Sequence, residues 1–468
     1  MGVERYDAVV VGSGPNGLAA AITLAEARRS VLVLEAALEP GGGLRTEELL
    51  EPGFKHDVCA SVMAMAALSP FFSELRPALV SPQAPLAHPF DDGSALVVER
   101  SVAGTARSLG PDAQPYRRLL GPLAAGARDL LNMVLRPPRA PRRPLLLARF
   151  GLPGLLPADR LAGIFRGRHS RALVAGAAAH SLLGLDQPGT GAFALIMLLT
   201  AHAGGWPFAA GGSGALATAL VRRLEELGGR LLCAERVRSL DRLPDHRAVL
   251  LDLVPKGVLE VAGDGLPAPY RRRLAAYRHG PGAFKLDWTL DGPIPWRTEA
   301  CARAGTLHLG GSFEEIAQAE HEVARGRHPE RPFVLLAQPS LFDPRRAPAG
   351  RHVAWAYCHV PNSSDRDMTR QIEDQVERFA PGFRDLVRQR CAWSPRRLEA
   401  HDPNCVGGDV NGGRMDLRQL LARPVLSLDP YATPNPALFI CSAATPPGGG
   451  VHGMCGVNAA RSALRRRL

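Results

Sequence analysis

The sequence is almost without lysine, poor in aromatic residues, free of paired cysteine motifs and free of any long apolar run. Lysine occurs only at Lys55, Lys256 and Lys285, so nearly all the base behind a net charge of +11 and a pI near 9.7 is arginine. Such lopsided usage most often records a GC-rich genome. Aromatics at 6% leave no basic-aromatic platform for stacking bases, and no nucleic-acid-reading module is visible, so nucleic acid is not an expected partner. The eight cysteines are scattered, with no C-x-x-C or C-x-x-x-x-C spacing, which excludes a redox disulphide formed between near neighbours in sequence. The fourteen histidines show no H-x-x-x-H or Cys/His ligand spacing, so no metal is expected. No apolar stretch reaches the ~18 residues a bilayer span requires. No cationic, apolar leader precedes the first strand-like run, and Tyr6 stands where a myristoylation motif needs Ser or Thr. A cytoplasmic protein with reduced thiols is the expectation.

What is present begins at the first residues. A chain of 468 residues is too long for one core and fits two domains. Tyr6 to Val11, YDAVVV, has the continuous apolar character of a strand buried in a parallel sheet. The turn Gly12-Ser13-Gly14-Pro15-Asn16-Gly17 leads into the Ala/Leu-rich run LAAAITLAEA, and Val31 to Glu35, VLVLE, is a second strand closing on an acid. Gly12 permits the turn, Gly14 lets backbone approach a pyrophosphate, and Gly17 lets helix and strand pack. The helix start turns free N–H groups and a positive dipole end towards phosphate. Glu35, followed by Ala36, is placed to accept ribose hydroxyls and to repel a 2′-phosphate. Strand, glycine turn, helix and terminal acid together identify a dinucleotide-binding unit, but the acid alone does not separate NAD from FAD.

Past Glu35 lies Gly41-Gly42-Gly43-Leu44-Arg45-Thr46, a glycine-rich turn whose arginine suits a second approach to pyrophosphate. At the far end, Leu438 to Cys441 predicts a short strand and Thr445 to Gly453 a Pro/Gly-rich turn. Val457 to Leu464 predicts a helix. A third glycine cluster, Gly211 to Gly214, opens a helix, but no buried strand is predicted before it, so it is not read as a second nucleotide site.

The E-x(5–7)-G-G-x-x-R-T pattern resembles the signature of amine oxidases and carotenoid desaturases. Motifs along nearly the whole chain, among them VVVGSGPNGLAAAITLA, GGGLRTEEL, GFKHDVCAS, GAFKLDWTLDGPIPW, AHDPNCVGGDVNGG and SAATPPGGGVHGMCG, are similar to those of bacterial phytoene-desaturase-related flavoproteins. The resemblance implies FAD, and an α/β fold in which a Rossmann-like FAD-binding domain is interleaved with a mixed-sheet plus helical substrate domain. The FAD domain would comprise residues 1–75, 210–265 and 405–468, and the substrate domain 76–209 and 266–404. It further implies cofactor contacts from Gly12, Gly14, Pro15, Asn16, Gly17, Glu35, Ala36, Gly42, Gly43, Leu44, Arg45 and Val237. Gly449, Gly450, Val451 and His452 would meet the flavin at the C-terminal helix start, which would stabilise its reduced, anionic form.

Three residues are candidates for chemistry. Lys285 lies in the strand-like AFKLDWTL and shares a face with Asp287 and Thr289. The resemblance to amine oxidases implies that it holds a water near flavin N5, while an ion pair with Asp287 at the sheet surface is the competing reading. His56 is a candidate base beside the flavin or a structural histidine. His452 either bonds the ring or fixes its own turn. Asp409 and Asn411 belong to a polar loop near the substrate side. The expected activity is removal of hydride from an apolar organic substrate, as in carotenoid desaturation. Amine oxidation, redox-neutral isomerisation on reduced FAD and a flavin-binding scaffold without turnover are alternatives. An apolar tunnel would favour a hydrocarbon and aromatic walls an amine. The stretch Leu130 to Leu185 mixes aliphatic and basic residues, as either a peripheral membrane contact or a substrate-domain cap.

Overall fold

A computed structural model describes residues 5–137 and 139–468. Two sheets organise the chain. The first holds five parallel strands: β1 (Tyr6–Val11), β2 (Val31–Leu34), β3 (Arg230–Leu232), β4 (His246–Leu251) and β5 (Leu438–Ile440), in the order β5-β4-β1-β2-β3. Ala8, Val9, Val10 and Val33 are fully buried, as continuous Val/Leu runs require when both sheet faces are covered. Helix α1 (Pro15–Glu26) joins β1 to β2, α2 (Ser213–Glu226) leads to β3, and α3 (Met454–Arg466) ends the chain. β3 stops at Leu232, and the loop after it runs beside the end of β2, the Glu235 N–H donating to the Glu35 carbonyl at 2.8 Å.

Small residues set the closest packing. A Cβ added at Gly17 would stand 2.1 Å from the Gly12 carbonyl oxygen, and one at Gly456 would stand 1.8 Å from the Asn16 carbonyl oxygen. The first helix and the last therefore touch backbone to backbone at the phosphate turn. Alanines at 19, 20, 21, 459, 460 and 463, all buried, continue that contact.

The second sheet has seven strands in the order 387–393, 282–290, 352–360, 334–337, 304–309, 84–89 and 95–98. All its neighbours are antiparallel except 304–309 with 84–89. Each sheet draws its strands from separate stretches of sequence. On one face of the second sheet Lys285 stands opposite Tyr357 and Trp393, and Asp287 opposite Trp355 and Cys391. Helices Ala113–Ala125, Ala127–Val134, Pro144–Gly154, Arg168–Ala179 and Thr190–Gly204 supply the helical part.

Candidate functional site

The carboxyl ends of β1, β2 and β4 open into a cavity of ≈ 500 Å³. Gly12, Gly14, Pro15 and Asn16 line it from the phosphate turn, and Glu35 and Ala36 from the end of β2. Gly42, Gly43 and Arg45 enter from the next turn, Val237 from the loop after β3, and Gly449, Gly450 and Val451 from the chain's far end. Gly17 and Leu44 lie behind this wall: Gly17 at the helix–strand contact, Leu44 fully buried. The buried Leu44 side chain leaves only its backbone for the cofactor contact expected of it.

Glu35 is held for hydrogen bonding. One carboxylate oxygen accepts from the Ser13 N–H (2.8 Å) and hydroxyl (2.6 Å), the other from the Ala37 N–H (2.9 Å). Oε1, with the Ala37 N–H as its one donor among the described residues, keeps acceptor capacity for a ribose hydroxyl. Arg45 donates to the carbonyls of Gly42 (3.1 Å) and His401 (3.2 Å), and among the described residues no carboxylate forms an ion pair with it. A guanidinium bonded only to carbonyls at a cavity wall retains its charge for phosphate. The side-chain oxygen of Asn16 is buried without a partner at the same turn. Unused polar capacity at the phosphate turn, an acid at the end of β2 and an unpaired guanidinium fit an FAD-type dinucleotide.

A second cavity, of ≈ 470 Å³, lies between the seven-stranded sheet and the helices. It shares with the first a wall made of Cys59, Ala60, Val410, Gly449, Gly450 and Val451. Its surface is mainly aliphatic and aromatic, with Met65, Phe150, Ile196, Trp206, Leu335, Trp355 and Tyr357 among the contributors. The Trp355 and Tyr357 rings lie nearly parallel, 6.1 Å apart. Among the described residues no Asp or Glu lines this cavity, and Lys285 is its one charged wall residue.

Lys285 and Asp287 form an ion pair, as strand alternation allows, but the pair is buried (side chains 5% and 0% exposed) and not at the sheet surface. Asp287 also accepts from the Trp393 indole at 3.1 Å, and His56 lies 3.5 Å away. Burial would raise the Asp287 carboxyl, but the Lys285 and His56 side chains outweigh it and hold it below its ordinary value. Lys285 reaches the cavity wall, whereas His56 lines neither cavity and backs Asp287 from behind. That position corrects the expectation of His56 as a base beside the flavin. His452 lines the apolar cavity, but both ring nitrogens are used within its own turn: Nδ1 accepts from the Met454 N–H (3.0 Å), so Nε2 donates to the Gly448 carbonyl (3.2 Å). Burial holds its pKa at about 4, so the ring is neutral and fixes the turn, which corrects its assignment to catalysis.

Asp409 accepts from the N–H groups of Gly280 and Asn411 beside the dinucleotide cavity, while Asn411 lines the apolar one. The Gly211 to Gly214 turn is occupied by protein: the Ser213 N–H and hydroxyl donate to Asp57 and the Gly214 N–H donates to Thr46. Amides committed in this way bind no phosphate.

Residues that sequence reasoning missed stand here too. Asp252 and Asp402 line the dinucleotide cavity, and the thiols of Cys59 and Cys405 come within hydrogen-bonding range at its wall. Asp252 follows β4 as Glu35 follows β2, a parallel that inspection of HRAVLLD could have raised. The two thiols meet only through the fold.

A family model described as NAD(P)-binding Rossmann-like domain matches residues 10–75. Pyridine nucleotide-disulfide oxidoreductase domain-containing protein 2 of Rattus norvegicus is 25% identical, over 98% of this chain and 94% of its own. A phytoene dehydrogenase of Streptomyces griseus is 29% identical, over 81% of this chain and 76% of its own. Among solved structures, a putrescine oxidase double mutant superposes with a TM-score of 0.63 over 98% of both chains, at 15% identity, a likeness of fold.

Proposed function

We propose that this chain, an FAD-type oxidoreductase related to the phytoene dehydrogenases, removes hydride from a neutral, apolar organic molecule held in its second cavity. The observation that carries the reading is the wall shared by the two cavities, Cys59, Val410 and Gly449 to Val451, which would hold the reactive end of a dinucleotide bound at Glu35 and Arg45 where the apolar cavity begins. When bound, FAD supplies the hydride acceptor. The chain's own residues orient the substrate against that end, exclude water through the Met65, Phe150, Trp206 and Leu335 walls, and hold a fixed charge at Lys285. Lys285, paired with Asp287, positions a water or proton at the wall without exposing a free cation. The domain division into 1–75, 210–265 and 405–468 against 76–209 and 266–404 belongs to this reading.

An amine substrate draws support from the parallel Trp355 and Tyr357 rings. A cavity without an acid offers an ammonium no counter-charge, so the apolar substrate is preferred. The test is anaerobic bleaching of the flavin-loaded protein. Long-chain isoprenoid or acyl compounds should bleach the visible flavin bands and primary amines should not. Bleaching by amines alone would reverse the substrate reading, and no bleaching by either would favour a scaffold.

Access to the cavity suggests a membrane surface as a partner. Leu145 (77% exposed), Leu152 (71%), Leu155, Leu156 and Ile164 stand out in solvent among the exposed arginines 139, 142, 143, 149 and 160. Phe150, on the same helix as Leu145 and Leu152, lines the apolar cavity. Among the described residues no helix is long and apolar enough to cross a membrane. A basic, leucine-studded face of this kind suits peripheral contact with anionic lipid. The protein should co-sediment with vesicles containing anionic lipid, and Leu145→Glu with Leu152→Glu should release it. Equal sedimentation of wild type and double variant would refute the contact.

A further inference from the structure

Immediately after β4 stands Asp252, 5% exposed. Its carboxylate Oδ2 accepts the Gly17 N–H at 2.8 Å. A Cβ added at Gly14 would meet the same oxygen at 2.7 Å, and one at Gly12 would meet the Asp252 Cβ at 3.2 Å. Asp252 therefore touches each glycine of the phosphate turn and occupies one of the α1 amides that such a turn offers to an anion.

Its surroundings make a negative charge costly. Glu35 at the end of β2 and Asp402 after the helix Pro395–His401 face it as acids. The Cys441 and Cys455 thiols face it from the end of β5 and from α3, and Asn16 of α1 lines the same cavity. The Asn404 amide bonds its backbone carbonyl and not its carboxyl. Among the described residues no Lys, Arg or His comes within ion-pair range of it, and Arg45 faces Asp402 instead. Ionised, Asp252 would put an uncompensated charge where the pyrophosphate must approach. Burial, with Asp402 and Glu35 adding to it against the Gly17 N–H, moves its pKa up to about 8.

We propose that Asp252 is a ligand of the cofactor's phosphates in its neutral form, accepting from the Gly17 N–H through one oxygen and donating its proton to a phosphate oxygen, so that cofactor binding requires and retains that proton. The inference rests on the FAD reading above and adds a donor that a dinucleotide turn made of backbone amides alone does not have. Below the pKa of the free protein the affinity for FAD is independent of this group. Above it, each pH unit weakens binding by about tenfold, because a proton must be taken up with the cofactor.

The experiment titrates apoprotein with FAD by flavin fluorescence from about pH 6.5 to about pH 9.5, with calorimetry in two buffers of different ionisation enthalpy to count protons. Wild type should show a flat Kd to about pH 8, an approximately tenfold rise per unit beyond it, and proton uptake on binding. Asp252→Asn keeps the shape, the acceptor for Gly17 and a donor, so it should bind FAD with no slope and no uptake. A flat wild-type profile, or a slope that persists in Asp252→Asn, overturns the proposal while leaving FAD binding intact. Failure of wild type to bind FAD at any pH overturns the cofactor reading and this inference with it. Thermal unfolding of the apoproteins gives an independent check of the buried acid. Since the carboxyl is raised in the folded state, wild type should lose stability relative to Asp252→Asn from about pH 4 to about pH 8 and level off above. Parallel pH profiles would contradict a raised carboxyl.

Discussion

Replacing Asp57 with alanine tests whether the second glycine turn is a structural joint. The Asp57 carboxylate is buried and accepts from the hydroxyls of Thr46 (2.6 Å), Ser61 (2.6 Å) and Ser213 (2.9 Å), from the Ser213 N–H (2.8 Å) and from Arg346 (2.8 Å). It ties the arginine turn of the dinucleotide site to the start of α2, and both to Arg346, which is fully buried. Removing one partner of a buried pair costs about 3–5 kcal/mol, chiefly because the other charge is stranded. Arg346 keeps Asp343 at 3.4 Å and the Ala209 carbonyl at 3.1 Å, which places the loss towards the lower half of that range. Losing the Ser213 amide contact at the helix start adds about 1 kcal/mol. For 468 residues unfolding together, about 2.1 cal/mol/K per residue gives about 1 kcal/mol/K, so a total near 4 kcal/mol lowers Tm by about 4 °C.

Differential scanning calorimetry of Asp57→Ala checks the figure. The double variant Asp57→Ala with Arg346→Met should recover part of it, because no charge is then stranded. A shift under about 1 °C, or a double variant as unstable as the sum of the singles, would refute the reasoning. The same carboxyl carries a pH signature. Burial would raise it, but Arg346 and the bonds from Ser61, Thr46 and Ser213 outweigh that and hold it below its ordinary value. Its contribution is therefore complete above the unfolded pKa near ~4 and is lost as pH falls through the folded value. The acid-side slope of stability should be shallower in Asp57→Ala.

Other outcomes follow from the same geometry. Glu35→Gln removes the charge from an acceptor built for ribose hydroxyls, and the loss of charged hydrogen bonds worth about 1.5–3 kcal/mol should weaken FAD binding by about ten- to a hundredfold; an unchanged Kd would place the ribose elsewhere. Lys285→Met should slow anaerobic flavin bleaching while FAD stays bound, and a rate equal to wild type would leave Lys285 only its bond to Asp287. His452→Ala should lower Tm and FAD affinity through the loosened turn, without shifting the pH profile of bleaching. A shifted profile would return the ring to the chemistry.

How much of this was legible in the sequence depended on how far apart the partners lie along the chain. The β1-α1-β2 unit could be read because strand, turn, helix and acid follow one another within the first 35 residues. Lys285 and Asp287 could be paired because alternation on one strand is a local rule. The burial of that pair could not be read, since it depends on flanking by Trp355, Tyr357 and Trp393 from two other strands. His452 stayed ambiguous for a related reason: its partners are the Met454 N–H and the Gly448 carbonyl, and no side-chain pattern records a bond to backbone.

The turn at Gly211 to Gly214 shows the limit most clearly. Its composition alone is compatible with phosphate, and the loop-like sequence before it was the only ground for setting it aside, although a short buried strand, Phe208–Ala209, does stand there. The physical reason it binds none is that Asp57, 156 residues away in sequence, takes the Ser213 amide. Asp252 does the same thing in part at the first turn, taking the Gly17 amide across 235 residues. The two acids differ in what compensates them. Asp57 has Arg346 and three hydroxyl donors, and its pKa is lowered; Asp252 has, among the described residues, no cation in ion-pair range and two neighbouring acids, and its pKa is raised. A carboxylate stabilised by a buried guanidinium competes with a phosphate and closes the site, whereas a carboxyl kept neutral by its neighbours can share the site with one. The distinction between a filled glycine turn and an open one therefore lies less in the glycines than in the charge of the acid that long-range packing sets against them.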